Sequence, residues 1–182
     1  MVRPVELIPL VCLKCDTPVP AQPDEVAWVC ARCGQGLLLN ESDARGLSPL
    51  VVQYAAGLDP ARPGKPFWVA EGSVQLQRST YAALSDKDGE ARLLWSQPRR
   101  FFIPAYEVPL QTLADLGPRL VLNPPALQAG PPAPFEPVTV SPEDLPALAE
   151  FIVLAIEAGR NDMLKQVQIQ VRLSEPVLWV LP

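Results

Sequence analysis

The chain has 182 residues, 48% of them apolar and 19% charged, with a net charge of −5 and no histidine. That is enough apolar chain to bury a core, in one medium domain or in a small module plus a larger one, and the pattern is not that of a disordered protein. The missing imidazole excludes Ser-His and Cys-His nucleophile pairs, a histidine general base and a mixed Cys/His metal site, while the acidic balance argues against nucleic acid, whose affinity needs a basic face.

Residues 1–42 read as a small ribbon module. The apolar run Val5 to Val11 contains Glu6 and Pro9 and leads straight into a cysteine turn, so it lacks the form of a secretory leader. Two C-x-x-C turns flank a loop with Pro18, Pro20, Pro23, Asp24 and Glu25. Val26 to Val29 predicts a strand entering the second turn, and Leu37 to Leu39 the return strand after Gly34 and Gly36. Ser42 or Asp43 is placed to cap a helical turn that Gly46 and Pro49 keep short.

Residues 43–182 read as an α+β domain with a mainly antiparallel sheet and one principal helix. Val51 to Tyr54 predicts a short strand, and Phe67 to Leu84 a long one with Gly72 as a bulge. Asp86-Lys87-Asp88-Gly89 is turn chemistry, after which Ala91 to Trp95 returns as a strand and Arg99 to Tyr106 continues an antiparallel meander. Phe67, Trp68, Trp95, Phe101, Phe102 and Tyr106 are expected in its core. Pro109 to Gly117 has the form of a short helix that Gly117-Pro118 ends. Residues 123–137 carry six prolines and predict an extended connector. The principal helix is expected at 147–158, capped either by Ser141 with Pro142 at the first position or, as Pro146 favours, by Asp144 with Pro146 at the second, with Leu148, Phe151, Ile152, Ala155 and Ile156 on one face and Gly159 at its end. Gln166 to Leu173 alternates strictly and predicts a half-buried strand facing that helix, and Val177 to Leu181 a last strand. The charge-free apolar run Phe151 to Ile156 is far short of the ~20 residues a membrane-spanning helix needs.

The pattern that carries chemistry is C-x-x-C, fourteen residues, then C-x-x-C: Cys12, Cys15, Cys30 and Cys33. A C-x-x-C turn aims two sulfurs at one point, and two such turns supply the four corners that tetrahedral Zn²⁺ prefers. Paired cysteines at this spacing suit metal ligation in a reducing, cytoplasmic compartment better than disulfides. The turns Cys12-Leu13-Lys14-Cys15 and Cys30-Ala31-Arg32-Cys33-Gly34 resemble those of zinc-ribbon proteins, over residues 8–40. Ribbon turns often read C-P-x-C-G; here the prolines are missing and Asp16 stands for the first glycine, a residue that tolerates left-handed backbone. The resemblance implies one structural zinc, with Trp28 packed over it. Two rivals for the same cysteines stay open: redox-active dithiols, which normally open a helix, and a rubredoxin-like iron site.

Four protein ligands fill a zinc ion's shell, whereas catalytic zinc keeps a position open. The function expected is therefore a non-catalytic protein–protein interaction or assembly subunit with a protein partner. The first alternative is a nucleic-acid-associated ribbon factor of transcription or translation type, which the resemblance favours and the charge disfavours. The second is an enzyme of unrecognised type in the C-terminal domain.

Overall fold

The computed structural model describes residues 9–40, 42–43, 45–80, 87–160 and 164–182, and has a mixed α/β architecture of two sheets and three helices. Strand β1 (Ala27–Val29) enters the second cysteine turn and β2 (Gly36–Leu39) leaves it, with Trp28 opposite Leu37. A third strand, β3 (Leu47–Leu50), which the sequence reading does not foresee, pairs antiparallel with β2. Instead of a capped helical turn, side-chain turns reverse the chain here: Asn40 Oδ1 accepts from Ser42 N–H, Asp43 Oδ1 accepts from Arg45 N–H, and Gly46 supplies φ +69°.

The larger sheet contains β4 (Val52–Tyr54), β5 (Lys65–Thr80), β6 (Arg99–Pro104), β7 (Leu164–Leu173) and β8 (Val177–Leu181), in the order β4-β8-β5-β6 with β7 also on β5. Strands β7 and β8 run along the same side of β5: Val69 faces Val177 and Gly72 faces Leu173. The expected antiparallel meander is corrected here, because β4 pairs in parallel with the distant β8 and not with its sequence neighbour. Gly72 is not a bulge; the register shift lies between Ser79 and Thr80. A Cβ on Gly72 would sit 2.6 Å from the Phe101 ring, so this glycine admits an aromatic ring of the neighbouring strand. The predicted strand extension to Leu84 lies outside the described residues.

The expected strand Ala91 to Trp95 is a helix, α1 (Lys87–Trp95), which also absorbs most of the expected turn. Ala, Arg and Leu are helix formers, Asp88 and Glu90 sit in the first turn where the dipole favours acids, and Ala91 and Trp95 are buried four residues apart. Helix α2 runs Leu110–Leu122, straight through Gly117-Pro118. A Cβ at Gly117 would lie 2.5 Å from Ile152 Cγ1, so the glycine exists for close helix packing and not as a stop. Helix α3 (Leu145–Ala158) follows a single 3-10 turn, Pro142–Asp144. Ser141 caps the 3-10 turn, its side chain accepting from Glu143 N–H, while Asp144 stands at the expected N-cap of α3, with Pro146 in the first turn, but makes no side-chain capping bond.

The main core joins Trp68, Phe101, Ile103 and Val171 of the sheet to Leu113 and Val121 of α2 and to Ala149, Ile152, Val153 and Ile156 of α3, so α3 and β7 meet through their apolar faces. The proline-rich stretch has no regular element but is pinned as an extended strand-like segment: Ala56 N–H donates to Gln128 C=O, and Gly64 N–H to Pro134 C=O. The small sheet packs on this core. Val26 N–H donates to Val138 C=O at 2.8 Å, and Ala27 lies among the buried residues of the main cluster. No helix among the described residues is long and apolar enough to cross a membrane.

Candidate metal centre

Each cysteine turn closes by the same two backbone bonds. Cys12 N–H donates to Thr17 C=O at 2.8 Å and Asp16 N–H to Cys12 C=O at 3.0 Å; Cys30 N–H donates to Gln35 C=O at 2.9 Å and Gly34 N–H to Cys30 C=O at 2.9 Å. The residue after the second cysteine is left-handed in both turns, with φ +54° at Asp16 and +72° at Gly34. Aspartate thus does in the first turn what glycine does in the second, and Arg45 holds its carboxylate at 3.1 Å.

These turns bring the four sulfurs within 4.8 Å of one another, with Cys12 Sγ 3.5 Å from Cys33 Sγ and Cys15 Sγ 3.6 Å from Cys30 Sγ. A tetrahedral site with metal–sulfur bonds near 2.3 Å has sulfur–sulfur edges of about 3.8 Å, so the sulfurs surround a volume that one ion fills. All four cysteines are free, two of them buried. Without a cation the thiols ionise unevenly. The Thr17 hydroxyl beside Cys15, followed by the Thr17 N–H, holds that thiol down to about 6, while Cys12 is lowered chiefly by the Lys14 N–H. At Cys33 the Gln35 N–H pulls downward, but burial and the three other sulfurs push the thiol up to about 12. Four thiolates this close need a positive charge between them.

Trp28 is buried in the cluster around Cys12, Cys30, Leu37 and Leu47, and its indole N–H donates to Glu25 Oε2 at 2.8 Å. The expected packing of Trp28 over the cysteines is therefore present. Lys14 and Arg32 are exposed. Of the aromatic residues expected in the core, Phe67, Trp68, Phe101 and Phe102 of the sheet and Trp95 of α1 are buried, whereas Tyr106 is half-buried.

A second constellation escapes the sequence. Glu157, on α3, is fully buried and is the only charged side chain so placed among the described residues. Its Oε1 accepts from Trp95 Nε1 at 2.9 Å and from Arg160 Nε at 3.0 Å, and Oε2 meets Arg78 Nη1 at 3.2 Å. Arg78 in turn lies 3.5 Å from Asp88, and Arg160 lies 3.6 Å from Glu90. This network ties β5, α1 and α3 together. The available signal was Glu157 one residue after the apolar position Ile156 on a helix otherwise buried on that side, a weak one. Compared with protein families, curated proteins and solved structures, the chain matches none. Four cysteines positioned to bind one metal ion are what the geometry establishes.

Proposed function

We propose that the chain carries one structural Zn²⁺ on Cys12, Cys15, Cys30 and Cys33 in a zinc-ribbon module of residues 1–42, and that it serves as a non-catalytic interaction or assembly subunit in a reducing compartment. The observation that carries this reading is the convergence of four sulfurs from two similar turns on one point. Bound there, the ion neutralises thiolates and converts its binding energy into folding energy for a module too small to bury much surface alone. Four protein ligands leave such an ion no position for water or substrate. Soft thiolates on a tetrahedron suit zinc, and the net charge of −5 favours a protein partner over nucleic acid.

Native mass spectrometry with metal analysis, on protein purified from its own cells under gentle conditions, tests both halves. One zinc per chain together with a discrete complex with another protein supports the reading. Iron, or metal-free protein with two disulfides, overturns the zinc assignment. Salt-sensitive retention on nucleic acid in place of a protein complex overturns the choice of partner.

A further inference from the structure

Strand β7 has an open edge. It pairs with β5 along Gly72–Thr80, and among the described residues no strand lies on its other side. Two contacts fix where the backbone groups point. Glu71 N–H donates to Ser174 Oγ at 3.0 Å and Glu71 C=O accepts from Ser174 N–H at 2.8 Å, so the odd-numbered residues of β5 face the β7–β8 side. On β7, Val171 N–H donates to Glu150 Oε1 at 3.3 Å, away from β5. Strand alternation then sends the N–H and C=O groups of Val167 and Ile169 outward as well. Leu154 lies one turn beyond Glu150 on the same flank of α3 and is 39% exposed.

We propose that a second copy of this chain covers this edge, with β7 pairing antiparallel to its counterpart about a two-fold axis at Ile169. The strand reads Leu164-Lys165-Gln166-Val167-Gln168-Ile169-Gln170-Val171-Arg172-Leu173, which is close to its own mirror about that residue. In this register Val167 faces Val171 and Ile169 faces itself on the helix-covered side. Gln168 faces Gln170 and Gln166 faces Arg172 on the solvent side, and no like charges meet. The residues that become hydrogen-bonded pairs are the odd-numbered ones, whose backbone groups already point outward; Glu150 gives up Val171 on docking. A slip by one residue would set valines against glutamines, so the pattern fixes which face of the two strands is apolar, and the two-fold at Ile169 gives the closest self-match. Long open edges are usually blunted by charge, and here the centre of the strand carries none. An unrelated strand would gain the same backbone bonds, but not the apolar-to-apolar and amide-to-amide pairing that this strand offers itself.

The test is sedimentation velocity of the full chain at micromolar and higher concentrations. Gln168 and Gln170 are exposed and face Gln77 and Gln75 within one copy, so charging them leaves the monomer's fold intact. Wild type should be a dimer. The variant Gln168→Glu with Gln170→Glu should weaken association at least about tenfold, as should Gln168→Lys with Gln170→Lys. An equimolar mixture of the two variants should re-form a dimer, because each acid then meets a base. A wild type that stays monomeric, or a dimer that both variants leave unchanged, overturns the proposal.

Discussion

Glu157→Gln removes one charge from the interior and almost no volume. In the native protein the carboxylate, fully buried, faces guanidinium groups of Arg78 and Arg160, whose side chains are only 6% and 13% exposed. A glutamine amide keeps one acceptor, presents an NH₂ toward a cation, and leaves two buried positive charges facing a neutral group. Breaking a buried pair from one side costs about 3–5 kcal/mol. Asp88 and Glu90 remain near the two arginines, at 3.5 and 3.6 Å, but both are more solvated than Glu157 and offset only part of the loss. The expected destabilisation is about 3 kcal/mol, a large share of the 5–15 kcal/mol typical of a folded domain, and corresponds to a Tm roughly 6–12 °C lower in a chain of this size. Urea unfolding followed by tryptophan fluorescence measures it as a shift of midpoint at constant slope. A loss below about 1 kcal/mol would refute the reasoning, since it would mean that the arginines reach water without moving the helices. Replacing the three groups together, as Glu157→Leu with Arg78→Met and Arg160→Met, should recover part of the stability, because apolar packing often substitutes for a buried ionic cluster.

Cys30→Ser should abolish metal retention, read as metal content per chain by mass spectrometry, and a strong chelator should lower the Tm of wild type and leave the variant unmoved. Gly117→Ala places a methyl group 2.5 Å from Ile152 Cγ1; overpacking of about 1–3 kcal/mol outweighs the ~1 kcal/mol that alanine gains in helix propensity, so urea unfolding should show a net loss that Ile152→Val partly relieves. Burial holds the Tyr54 and Tyr106 phenols above their ordinary value, and the bond to Glu136 raises the Lys65 ammonium. In each case the folded protein keeps a proton that the unfolded chain releases first, so stability is full below about pH 10 and falls as pH rises beyond it. Urea midpoints measured from neutral pH into that range check the sign, and Tyr54→Phe should make the fall shallower.

The convergence of the four cysteines was legible because its determinants are local. All four sulfurs come from two turns whose closure depends on a few adjacent residues, and Asp16 and Gly34 adopt the left-handed backbone that residue type alone suggests. The helix α3 and the strand β7 were legible for a related reason: their apolar periodicity extends over ten residues or more. Short segments were not. Ala91-Arg92-Leu93-Leu94-Trp95 fits either a strand or a helix, and the decision rests on Trp95 reaching Glu157 from 62 residues away. Gly117-Pro118 reads as a stop, yet the helix continues because Gly117 lets Ile152 approach, an advantage invisible without knowing that α2 meets α3.

The sequence by itself determined the four-cysteine cluster, the two closing turns, the principal helix and the alternating face of β7, since spacing, backbone preference and periodicity are properties of neighbouring residues. Tertiary structure alone decided that β4 joins β8 in parallel, that a third strand completes the small sheet, and that Val26 anchors this sheet to Val138. It also decided that Glu157 lies buried between two arginines. Those outcomes depend on which distant surfaces meet, and the free energy of burying a strand edge or an ion pair exists only once both partners are in place.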